Sequence, residues 1–224
     1  MKNISRVLLL LMILPFTFSD SFSQSTLNIH IGPSISLSGS GPYSFTIGGE
    51  DIISSAGMGF DIGIEYSYQW SDKGFGAFTS FDFIRNGVND EYKDAAERFS
   101  DGFETTLIKL PVYVSLPLSA GLFYKYSATK ALSLFFKPGA TVNFMTMTDY
   151  QWDHATLESD WSTSIGYRIG IGVMYNERVS LCVDYLGLGN HELAGRRISE
   201  TLPLDEYTNE VNIQLLTLTV GWNF

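Results

Sequence analysis

One cysteine, Cys182, stands in 224 residues, so no disulfide can form within this chain. Its parity in the segment Val179–Leu186 marks it as a buried reduced thiol. Charge is sparse too: 17% of residues are charged, against 45% strongly apolar. Yet no apolar run reaches the roughly 18–20 residues that a transmembrane helix needs. A greasy chain without a helical span must hide its apolar surface some other way. Alternating strands do so, because a hydropathy window averages them away. Basic residues are scarce: after residue 23 there are 12 Lys and Arg against 23 Asp and Glu. That balance opposes nucleic-acid binding, which relies on cationic contacts to phosphate. HExxH, CxxC, GxSxG and phosphate-loop motifs are missing as well. The chain therefore reads as a non-enzyme, with no catalytic residue, cofactor site or metal site expected.

The N-terminus has the form of a secretion signal. Lys2 and Arg6 precede an apolar stretch from Val7 to Phe16, and small residues surround Ser21-Phe22-Ser23. Residues 1–23 are expected to be a signal peptide, and 24–224 a single domain.

In that domain one pattern repeats. At the C-terminus Leu216, Leu218, Val220, Trp222 and Phe224 share one face, while Thr217, Thr219, Gly221 and Asn223 share the other. The same split predicts strands over Leu27–Ser38, Ala56–Trp70, Phe75–Arg85, Thr105–Tyr126, Ala131–Met145, Trp161–Tyr175, Val179–Leu188 and Leu215–Phe224. Three connections are short turns. Four are long loops: 39–55, 86–104 (with a short helix expected at Asp90–Phe99), 146–160 and 189–210. Strict alternation of short and long connections predicts an all-β fold: an eight-stranded antiparallel up-and-down transmembrane β-barrel, with three short periplasmic turns and four long external loops.

Volume decides which face looks inward. The apolar face carries over forty large side chains, whereas eight strands enclose just enough space for packed side chains or one small ligand. A soluble lipocalin-like cup with the greasy face inside is therefore excluded. The greasy face must touch lipid, with Tyr68, Trp70, Phe75, Tyr124, Tyr126, Tyr175, Trp222 and Phe224 as interface aromatics at the turn side. Parity then places Asp61, Glu65, Asp82 and Asp184 inside with Lys109, Lys125, Lys137 and Arg168. Four acids against four bases predict a plugged, salt-bridged lumen, since buried charges are costly unless paired. His30 faces inward as a hydrogen-bonded lumen residue. Asp153-His154 near Asp149, and His191-Glu192, read as solvated loop residues. Arg196-Arg197 is the one basic pair among otherwise acidic loops.

The segment Leu116-Pro117-Leu118-Ser119-Ala120-Gly121-Leu122-Phe123-Tyr124, followed by Pro138-Gly139-Ala140-Thr141-Val142-Asn143-Phe144, resembles the centre of the PorT-like outer-membrane β-barrel domain family. The first part is similar to that family's Pro-x-x-x-Gly-Leu-x-Tyr strand, and the second to its glycine-bearing next strand. The resemblance covers about residues 26–224. It implies a single eight-stranded barrel in the outer membrane of a Gram-negative cell. One member type of the family assists protein secretion.

The expected protein is an integral outer-membrane barrel with a structural or surface-interaction role. Two alternatives are an accessory of an outer-membrane secretion system and a narrow small-solute channel. Expected partners are outer-membrane lipid and lipopolysaccharide, the barrel-assembly machinery through the Phe224 strand, and, on the secretion reading, secretion-system proteins.

Overall fold

The computed structural model describes residues 24–40, 44–47, 50–53, 56–102, 107–148, 150–152, 155–199 and 205–224. The expected signal peptide lies outside the described residues. Eight long strands form the wall: β1 (Gln24–Ser40), β4 (Ala56–Gln69), β5 (Phe75–Val88), β7 (Tyr113–Ser127), β8 (Leu132–Met147), β11 (Ser162–Tyr175), β12 (Val179–Ser199) and β13 (Asp205–Asn223). Each pairs antiparallel with the next, and β13 returns to β1, so the sheet closes into a barrel. The closing seam runs to the last residue. Phe224 N–H donates to the Leu27 carbonyl at 2.9 Å, and Leu27 N–H to the Phe224 carbonyl at 3.4 Å.

Period-two alternation holds around this wall. Ile165 is 80% exposed, Met58 72% and Phe224 71%, all on the outer face, whereas Ser34, Ser119 and Thr217 are buried inside. An apolar outer wall of this extent is favourable only against lipid. Around the turn end of that wall stand Trp70, Phe75, Tyr124, Tyr126, Tyr175, Trp222 and Phe224, all exposed, with Tyr68 half-buried. Phe75 and Tyr124 are cross-strand partners whose ring centroids lie 4.8 Å apart. This is where aromatic girdles sit in such barrels. The turns are tight for local reasons. Asn176 and Glu177 both take positive φ, 49° and 57°, the geometry that matches the twist of a two-residue hairpin. Gly74, at φ 91°, closes the Ser71–Gly74 turn.

At the opposite end the structure corrects the expected loops. The predicted loop 189–210 is largely strand: β12 and β13 remain paired outward to Arg197 opposite Asp205. A bulge between Gly187 and Asn190, with Gly189 at φ 82°, shifts the register. One extra residue reverses the parity, so an alternation reading stops at Leu188. Onto this projecting hairpin the sheet adds β10 (Ala155–Ser159), then β9 (Tyr150–Trp152), then β6 (Leu107–Lys109). The predicted strand Thr105–Tyr126 is therefore two pieces. Residues 110–112 interrupt it, where Pro111 has no N–H to give to a ladder. A second hairpin, β2 (Ser44–Ile47) with β3 (Glu50–Ile53), packs with α1 (Asp90–Gly102). The helix extends the Asp90–Phe99 expectation by about one turn. Asn89 precedes it, Asp90 and Glu91 face the positive end of its dipole, and Tyr92 and Ala96 bury its inner side.

Candidate functional site in the barrel lumen

Two cross-strand rows bring the inner charges together. Along one, His30, Gly63 and Asp82 lie side by side on β1, β4 and β5; along the other, Lys137, Gly170 and Asp184 lie side by side on β8, β11 and β12. The middle residue is glycine in both rows. A Cβ at Gly63 would stand 2.6 Å from His30 Nε2 and Asp82 Oδ1, and one at Gly170 would stand 2.7 Å from the Lys137 stem. Each glycine opens a notch across which longer side chains meet. His30 Nε2 and Asp82 Oδ1 are 2.8 Å apart, and Lys137 Nζ lies 3.8 Å from Asp184 Oδ1.

Arg168 joins the two rows across the lumen. Its Nε donates to Asp184 Oδ1 at 2.7 Å, and its Nη1 to Asp82 Oδ2 at 2.9 Å and to Ser80 Oγ at 2.7 Å. Arg168 is 1% exposed, and its planar fork spans two carboxylates where an ammonium reaches one point. Lys137 reaches further, to Glu65 Oε2 at 2.6 Å, while its Nζ lies 5.9 and 5.6 Å from the Phe78 and Phe135 rings. Phe78 interrupts the small polar set of its strand. It turns inward over Gly121 and Gly139, whose missing side chains leave room for the ring.

Of the eight expected lumen charges, one stands outside the barrel and one faces inward only at the turn-side end of the lumen. Lys109 is exposed in the outer extension on β6, because the break at Pro111 detaches it from the barrel strand. Lys125 lies at the turn-side mouth and pairs with Glu177 at 2.9 Å, since it is two residues from the end of β7. Glu177 also accepts from Ser133 Oγ at 3.3 Å. Of the other six, Glu65, Lys137, Asp184, Arg168 and Asp82 join in one ion-pair chain, and Asp61 faces inward close to Asp82 and His30. Sequence parity identified them but missed the parts that Ser80 and His30 play in the ion-pair chain. It also missed Glu177, whose position in a turn gives no periodic signal. Asp61 is fully buried, yet neither carboxylate oxygen has a hydrogen-bond partner.

Above this charged layer the lumen changes character. Two residues further along the same strands, Ile84 follows Asp82, Leu186 follows Asp184 and Leu215 precedes Thr217. With Met145, Met147, Leu188, Leu193, Val211, Ile213 and Tyr113 they form a buried apolar cluster inside the outer half of the barrel and its extension. A polar ring borders it. His191 Nε2 is 2.9 Å from both Asn143 Nδ2 and Ser164 Oγ, and Asn86 Nδ2 donates to the Gly57 carbonyl at 2.8 Å. His191 is thus a buried inward residue and not a solvated loop histidine, because the bulge at Gly189 restores it to the inner face. Glu192 beside it is exposed. Asp149, Asp153 and His154 lie outside the described residues. Arg196 stands opposite Glu206 and Glu158 in the hairpin register.

A family model described as an outer membrane protein beta-barrel domain matches residues 7–224. Among solved structures, a major outer membrane protein of Thermus thermophilus superimposes with a TM-score of 0.54 at 12% identity, covering 89% of this chain and 99% of that one. OprG of Pseudomonas aeruginosa does so with a TM-score of 0.51 at 14% identity, covering 90% and 97%. These likenesses show the shared fold. No curated relative matches the chain in sequence.

Proposed function

Because this chain belongs to the outer membrane protein beta-barrel domain family and lies in the outer membrane, we propose that it is a closed-lumen barrel that holds a folded platform at the cell surface. The observation carrying this reading is the double obstruction of the lumen. A salt-bridged layer around Arg168 is stacked directly beneath an apolar layer around Leu186 and Ile213. Ions crossing the barrel would have to break buried charge pairs and then enter a greasy plug, each step costly on its own. The strand extensions and α1 supply the platform. Their backbone is hydrogen-bonded in sheet and helix, which favours a surface that presents fixed contacts over a set of loose loops.

Single-channel recording in planar bilayers tests this. The refolded protein is expected to give no stable conductance steps. Reproducible steps from protein shown to be folded by its heat-modifiable gel mobility would replace the reading with that of a solute channel. A secretion defect on deletion, without general membrane leakage, would favour the accessory of a secretion machine instead.

A further inference from the structure

The charged layer does not balance. With Lys109 outside and Lys125 engaged by Glu177, Asp61, Glu65, Asp82 and Asp184 face only two permanent cations, Lys137 and Arg168. On formal charges, with His30 neutral, two negative charges are left over in a space closed on one side by apolar packing. The surplus is local. Lys137 and Arg168 are committed to Glu65, Asp184 and Asp82 Oδ2, and no described cation pairs with Asp61.

His30, Asp61 and Asp82 each offer one ligand atom, and these three atoms lie within 4.8 Å of one another, all on buried residues. We propose that they hold a divalent transition cation of the Zn²⁺ type. One imidazole nitrogen and two carboxylate oxygens form a donor set suited to such ions. A dication here brings the layer to neutrality and supplies the partner that Asp61 lacks. Asp82 divides its two oxygens: Oδ2 receives Arg168, leaving Oδ1 beside His30 Nε2. Metal–ligand bonds of about 2.0–2.2 Å set donor atoms roughly 3.3 Å apart, so the 2.8 Å His30–Asp82 contact opens slightly as the ion enters. His30 Nδ1 is 3.2 Å from Asn28 Oδ1, a contact that orients the ring with Nε2 toward the ligand, as an outer-shell acceptor does in metal sites. Gly63 provides the room, since a side chain there would fill the space between His30 and Asp82.

An approach exists on the turn side. A cavity of about 40 Å³, lined among others by Asn28, His30, Glu65 and Ser180, reaches His30, the turn-side member of the trio, from the periplasmic half. It has room for at least one water molecule. The apolar layer blocks the other direction.

The full mature chain, refolded in detergent and equilibrated with Zn²⁺, then passed through a chelating column, is expected to retain one metal ion per chain by elemental analysis. Co²⁺ in its place should give visible d–d bands and a paramagnetically shifted imidazole resonance. Asp61→Asn and His30→Gln should each weaken retention at least about tenfold while keeping the gel mobility of the folded barrel. Folded wild-type protein that retains no stoichiometric Zn²⁺ would overturn the proposal. So would metal that persists undiminished in both folded variants, which would place it on the acidic loops. If either variant fails to fold, the wild-type Co²⁺ spectrum decides: bands without an imidazole shift count against the trio, and bands with it support His30 ligation. Conductance plays no part in this test, so its outcome is separable from that of the closed-lumen reading.

Discussion

The inner half and the outer half of the lumen have the same wall and opposite contents. Around Arg168 the barrel is filled by ion pairs bridged over glycines; around Leu186 it is filled by leucines, isoleucines and methionines. Both fillings obstruct the bore, but they fail differently. A charged layer depends on every partner being present, because a single deletion strands a buried charge. An apolar layer loses only the transfer and packing energy of the atoms removed.

Arg168→Ala is the sharpest way to expose that contrast. It leaves Asp82 and Asp184 without their shared cation, and a loss of about 3–5 kcal/mol is expected. Urea titration of the refolded barrel in micelles, followed by heat-modifiable mobility, measures it. An unchanged midpoint would mean the layer is not a structural network. Leu186→Ala, in the layer above, should cost about 2–4 kcal/mol by opening a cavity against Ile213 and Leu215. A cost in Leu186→Ala larger than in Arg168→Ala would reverse the comparison and make the apolar plug the dominant element. Lys137→Ala should cost less, about 2 kcal/mol. Its main partner, Glu65, is 14% exposed and borders the turn-side cavity, so water can take over part of the lost interaction.

How far the residues themselves announce these two layers differs for a physical reason. Parity is a strong signal where small polar residues oppose large apolar ones, and the barrel, its strand pairing and seven of the eight expected inner charges follow from it. Asp61, Glu65 and Arg168 stand on strands whose inner face is otherwise glycine, serine and glutamine, with a single methionine, Met174, at the turn end. The apolar layer gives no such contrast. Ile84, Met145 and Leu215 are flanked on the outer face by Phe83, Phe144 and Leu216, so both faces are greasy and the alternation is erased. The bulge at Gly189 hides the remainder, because Leu193 and His191 change face when one residue is inserted. Lys109 is the converse failure. Its parity with Tyr113 is sound arithmetic, but Pro111 breaks the strand between them, and periodicity cannot be carried across a break in the ladder.

The same comparison extends to the turn-side mouth, where the weakest effect is expected. Lys125 meets Glu177 at 2.9 Å, as close as Arg168 meets Asp82, but Glu177 is 56% exposed on its turn. Geometry alone would rank the two pairs together; solvent separates them. Water already solvates the carboxylate in the intact protein, so Lys125→Ala strands nothing and should cost about 1 kcal/mol or less. That small effect should also fade as salt is raised, because charges at an open mouth are screened. The Arg168→Ala effect should persist, because its partners are buried. Urea midpoints of both variants at low and high salt measure the distinction. A Lys125→Ala loss that matched Arg168→Ala and ignored salt would mean the mouth is as dry as the middle, and the cavity beside His30 would then have no wet approach from the periplasm.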